Sequence, residues 1–138
     1  MKIFLGGTCN NSTWRDWVMP ELDRLKIPYF NPVVEDWTPE CQAEEERQKE
    51  ECDIHLYVIT PEMTGVFSIA EAVDSAWKKD KHCLFYVVQS HLLFPKGQLK
   101  SLRAVEDLIY KRGGTVSTIY GLNLLKNEIV KEYKKLIN

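Results

Sequence analysis

Apolar residues along this chain fall into two rhythms. Unbroken or alternating runs recur at Ile3-Phe4-Leu5, at Ile54-His55-Leu56-Tyr57-Val58-Ile59 and at Cys83-Leu84-Phe85-Tyr86-Val87-Val88. Between them lie stretches whose apolar positions are three and four apart. The first rhythm predicts strands, unbroken where both faces are covered, and the second predicts amphipathic helices. The first strand ends in Gly6-Gly7-Thr8, and its loop runs on through Asn10-Asn11-Ser12-Thr13. Thr13 or Ser12 caps a helix over residues 14–25, with Trp17, Val18, Leu22 and Leu25 as its apolar face. Pro20 interrupts that pattern and predicts a kink or a division. Ile27-Pro28-Tyr29-Phe30 reads as a short second strand closed by Asn31-Pro32, and a polar loop with Trp37 and Pro39 follows. Residues 40–52 form a highly charged helix, and Asp53 opens the third strand.

The third strand leads through Thr64-Gly65 and Ser68 into a helix whose core is Ile69-Ala70-Glu71-Ala72-Val73-Asp74-Ser75-Ala76-Trp77. Lys78-Lys79-Asp80-Lys81 is a surface turn before the fourth strand, and a longer connection holds His91, Pro95 and Gly97. Leu102, Val105, Leu108 and Ile109 mark a helix over residues 99–111 that Gly113-Gly114 terminates. A fifth strand over residues 115–119 and a last amphipathic helix over residues 122–137 complete the order. Strands that alternate with helices predict an α/β fold, a parallel sheet with helices on both faces. Right-handed crossovers favour a flavodoxin-like three-layer sandwich with strand order 2-1-3-4-5. Its switch point, between the first and third strands, brings Gly6-Gly7-Thr8 beside Thr64-Gly65 and Glu71. Small ligands bind at such a point.

Composition narrows the classes. A chain of 138 residues accommodates one substantial core, which predicts a single domain over residues 1–138. With 18 Lys+Arg against 20 Asp+Glu the formal charge is -2, so no global field draws the chain to nucleic acid. No apolar run approaches a membrane span, and the start of the chain lacks the pattern of a signal peptide. Cys9, Cys41, Cys52 and Cys83 form no Cys-x-x-Cys pair, and the three histidines have no ligand spacing to them. No metal site is expected. Free thiols fit a reducing cytosol, which predicts a cytoplasmic protein.

Candidate chemistry concentrates in the two loops at the switch point. A carboxylate near helix-terminal N–H groups can serve as nucleophile or general base, which singles out Glu71. The plainer alternative is that Ser68 caps its helix with Glu71 as capping-box partner, since Ser-x-x-Glu is the capping pattern. Gly6-Gly7 allows close backbone approach to a ligand, or makes a tight turn. The Gly-x-Gly-x-x-Gly and Gly-x-x-x-x-Gly-Lys-Ser/Thr phosphate motifs are absent. Trp14 and Trp37 lie in or beside loops at this edge, where a ring can stack on a nucleobase or pack into the core. Within Glu44-Glu45-Glu46, mostly a solvated face, one carboxylate can turn inward. His55 reads as a satisfied core histidine, and His82 and His91 as loop residues.

In order, Lys2-Ile3-Phe4-Leu5-Gly6-Gly7, Trp14-Arg15, Asn31-Pro32, Cys52-Asp53-Ile54, Thr64-Gly65 and Ser68-Ile69-Ala70-Glu71 resemble the nucleoside 2-deoxyribosyltransferase-like family over roughly the first ninety residues. The resemblance implies a glutamate, here Glu71, that attacks the anomeric carbon of a deoxyribonucleoside or nucleotide. A covalent glycosyl-enzyme follows, which a second base or water then takes up, as in retaining glycoside hydrolysis. It further implies that Gly6, Gly7 and Thr8 line the base or sugar site, and that Ser68 faces the sugar's 5′ oxygen or a phosphate. Trp14, Asn31, Trp37, Thr64 and Gly65 complete the implied substrate contacts, with Glu45 as a further acidic residue. The implied partner is a small-molecule nucleoside or nucleotide, no cofactor is required, and a homo-oligomer is an option. Exposed apolar candidates for its interface are Leu92-Leu93-Phe94 and Trp77. Two positions depart from the family's pattern. Phe4 stands where a tyrosine orients the nucleophile, and Gly65 where an aspartate handles protons on the departing base.

Overall fold

The computed structural model describes residues 1–9 and 11–138. Asn10, read above as part of the first loop, lies outside the described residues. Ten elements alternate along the chain: β1 (Ile3–Gly7), α1 (Trp14–Arg24), β2 (Tyr29–Phe30), α2 (Pro39–Glu51), β3 (Ile54–Ile59), α3 (Phe67–Ala76), β4 (His82–Gln89), α4 (Lys96–Lys111), β5 (Thr115–Tyr120) and α5 (Leu122–Ile137). All the strands pair in parallel, in the order β2-β1-β3-β4-β5. The flavodoxin-like sandwich read from the sequence is the fold.

Each face of the sheet has its own core because side chains alternate along every strand. Ile3, Leu5, Leu56, Val58 and Tyr86 point towards α1 and α5, where Trp14, Val18, Leu22, Leu125 and Ile129 meet them. Phe4, Tyr57, Ile59 and Phe85 point the other way and are covered by Ala72 and Ala76 of α3 and by Leu102 and Ile109 of α4. β3 is buried on both faces, which is why its apolar run is unbroken. β2 pairs over two residues at the sheet's edge, where Pro28 and Pro32 deprive its flanks of N–H donors.

Two details differ from the helical reading. Pro20 sits inside α1 and does not divide it. The buried face of α1 is Trp14, Arg15, Val18 and Leu22, whereas Trp17 is exposed. Arg15 faces inward because unpaired carbonyls at the end of β1 need donors. Its guanidinium Nε and Nη2 donate to the Leu5 carbonyl at 3.2 and 2.9 Å, and Nη1 donates to the Thr8 carbonyl at 2.7 Å. Burial lowers the Arg15 pKa from its ordinary value.

Candidate active site

A cavity of about 530 Å³ opens at the carboxyl end of β1. One wall is backbone and small side chains, Gly6, Gly7 and Ser68. A second is the loop after β2, with Val33, Val34 and an exposed Trp37. Glu45 and Glu71 supply its carboxylates.

The glycines make the floor possible. Gly7 holds φ 115°, and a Cβ there would lie 2.1 Å from the Val58 carbonyl oxygen, so no other residue fits between β1 and β3. A Cβ at Gly6 would lie 2.6 Å from the Tyr57 ring. The glycine pair therefore answers a packing demand and leaves backbone lining the cavity. Gly65 has open space around its Cβ direction and no such demand.

Ser68 is the second residue of α3, whose N-cap is Val66, and no side chain caps the helix. The capping-box reading of Ser68 and Glu71 is thereby overturned. Ser68 Oγ instead donates to the Gly7 carbonyl at 3.2 Å and ties α3 to β1. Glu71 is free of the helix end, and its Oε2 accepts from Lys49 Nζ on α2. The same ammonium lies 3.7 Å from Glu45 Oε1 and 5.5 Å above the centroid of the Phe4 ring. Where the family's pattern has a tyrosine on β1, this chain has a phenylalanine face with a lysine over it, and that lysine reaches the carboxylate.

His55 holds Lys49 in place. Its Nε2 donates to the Lys49 carbonyl at 2.8 Å, and because a carbonyl can only accept, Nδ1 must accept from Ser75 Oγ at 2.8 Å. Burial lowers the His55 pKa, which favours the neutral ring. Glu45 is pushed the other way. Burial raises its pKa first, the Lys49 charge opposes that, and Glu71 raises it further. An inward carboxyl that retains its proton to higher pH sits beside one paired with an ammonium.

Of the residues the sequence singled out, Glu71, Gly6, Gly7, Ser68, Trp37 and Glu45 line this cavity. The others serve elsewhere. Trp14 is fully buried, with Nε1 donating to the Thr8 carbonyl at 2.9 Å, so it packs rather than stacks on a ligand. Thr8 is buried and its Oγ1 accepts from the Thr60 N–H at 2.9 Å, a tie between the β1 and β3 loops. Asn31 Oδ1 accepts from the Val33 N–H at 3.1 Å and shapes the wall from behind. Thr64 and Gly65 precede α3 outside the cavity lining. Among the interface candidates Leu92, Leu93 and Trp77 are exposed, but Phe94 is buried. Sequence reasoning missed Lys49. Its signal was present, because Glu45 and Lys49 are four apart on one helix face, the spacing that pairs charges.

No helix among the described residues is long and apolar enough to cross a membrane. A family model described as nucleoside 2-deoxyribosyltransferase like matches residues 1–90 of the 138, the segment that builds β1 through β4 and so the whole cavity lining. Comparisons with curated proteins and with solved structures give no match.

Proposed function

For a chain that belongs to the nucleoside 2-deoxyribosyltransferase-like family, we propose cleavage at the N-glycosidic bond of a nucleoside or nucleotide, with Glu71 as nucleophile. One observation carries the reading. Glu71 is released from any capping duty and held by Lys49 at the wall of a cavity large enough for a nucleoside. A Glu71 oxygen forms a bond to the anomeric carbon as the carbon–nitrogen bond to the base breaks, and the bonding pair leaves with the base. Glu45, whose pKa burial raises, gives the departing base its proton and takes over the work of the absent aspartate. Water or a second base then attacks the glycosyl ester, returns Glu71 to its carboxylate and releases a proton to Glu45. Lys49 orients the attacking carboxylate.

A second reading has its own observation. The ammonium on Glu71 and the phenylalanine at position 4 also suit a module that holds a nucleotide without turning it over. Incubation with deoxy- and ribonucleosides and their 5′-nucleotides, with and without an acceptor base, separates the two. Base release that Glu71→Ala abolishes supports the enzyme, and exchange with the acceptor marks a transferase. A ligand that raises the melting temperature of a wild type without turnover supports the binding module.

A further inference from the structure

The amino end of the sheet carries a second concavity, of about 430 Å³, between the last turns of α3 and α4 and the starts of β4 and β5. Lys78, Lys79, Lys81, Lys111 and Arg112 line it, together with His82 and the backbone of Gly113-Gly114, and no carboxylate does. Helix C-termini attract cations, yet each presents only about half a negative charge, so two helix ends call for about one cation in all. Five exceed that need, in a chain whose formal charge is -2. Neighbouring acids absorb little. Asp74 Oδ2 lies 3.7 Å from Lys78 Nζ, with its side chain largely exposed. Lys81 Nζ donates to the Glu50 carbonyl, and the Arg112 guanidinium lies 3.6 Å from the centre of the exposed Trp77 ring. Lys79 and Lys111 are exposed on either side of the opening.

We propose that this basic concavity binds a small polyphosphate anion, separately from the cleft at the other end of the sheet. Like charges crowded into one concavity repel one another, and a multivalent anion relieves that repulsion. A single phosphate answers too few of the cations and fills too little of the space. An extended nucleic acid needs a basic stripe beyond the pocket, and the acidic balance of the chain opposes it. A free polyphosphate and the triphosphate of a nucleotide share the chemistry recognised here. The exposed Trp77 side chain offers a base contact that only the nucleotide can use.

The test is calorimetric titration of the full chain with inorganic tripolyphosphate and, in parallel, with adenosine triphosphate. Both are run with the wild type and with the Lys79→Glu/Lys111→Glu double variant, whose fold is checked by circular dichroism. The expected result is one saturable site for tripolyphosphate whose affinity falls steadily with salt and is about tenfold or more weaker in the double variant. Tighter binding of the nucleotide that Trp77→Ala removes supports the proposal with a base contact. Equal binding of the two supports recognition of phosphate alone. No saturable binding of tripolyphosphate overturns the proposal, as does equal affinity in wild type and double variant, or binding of single-stranded oligonucleotide in preference to both. Because tripolyphosphate has no glycosidic bond, its binding stands or falls independently of the chemistry proposed for Glu71.

Discussion

At the carboxyl end of the sheet each loop is fastened to another, whereas at the amino end the side chains are fastened to very little. Around the cavity, Arg15 holds the carbonyls of Leu5 and Thr8, Thr8 holds Thr60, Ser68 holds Gly7, and His55 holds Lys49, which holds Glu71. Around the basic concavity the cations reach solvent, one largely exposed carboxylate, one carbonyl and one indole ring. The difference fits what each end is proposed to do. Attack on an anomeric carbon tolerates little misplacement, so the carboxylate needs neighbours that fix it. Attraction of a multivalent anion depends on summed charge over several ångströms, and exposed lysines supply that without fixed geometry.

The comparison breaks hardest at Gly7. Gly7→Ala forces a Cβ into the Val58 carbonyl and a left-handed φ on alanine. It should cost about 3 kcal/mol or more and lower the melting temperature by about 10 °C. Gly65→Ala, in the connection from β3 to α3 with open space around it, should shift it by no more than about 2 °C, so a calorimetric scan of the pair shows whether the floor of the cleft is fixed by packing. Next in size is Glu45→Gln. Burial raises the pKa of this carboxyl, so its proton is present below that raised value and lost as pH rises through it. The rate should therefore fall on the alkaline side in the wild type. In the Gln variant it should drop by about 100-fold with that limb flattened, as kcat/KM measured across pH will show. Smallest is the effect of Lys79→Glu at the amino end, which should leave base release unchanged and stability within about 0.5 kcal/mol.

The sheet was legible because periodicity reports burial directly. The unbroken runs of β3 and β4 and the Gly-Gly after α4 each had one reading that suited their neighbours. Much of the site was not legible, for particular reasons. Ser68-x-x-Glu71 carries the letters of a capping box, yet α3 begins two residues too early for Ser68 to cap it. Trp14 and Arg15 face inward because carbonyls of β1 and its loop, six to ten residues away, need donors, a demand invisible to helical periodicity. Lys49 meets Glu71 across 22 positions of sequence, and only the docking of α2 through His55 brings them together. The family resemblance reached Glu71 and Glu45 but not the lysine between them.

The central claim is a covalent bond at Glu71, and intact-protein mass spectrometry tests it most directly. A nucleoside with fluorine at the sugar's C2 destabilises the oxocarbenium-like transition state and slows release of the glycosyl-enzyme, so the adduct accumulates. The account predicts a mass gain of one fluorinated glycosyl unit, mapped by peptide digestion to Glu71 and absent in Glu71→Ala. Base release by the wild type with no adduct, or an adduct on any other residue, would contradict it.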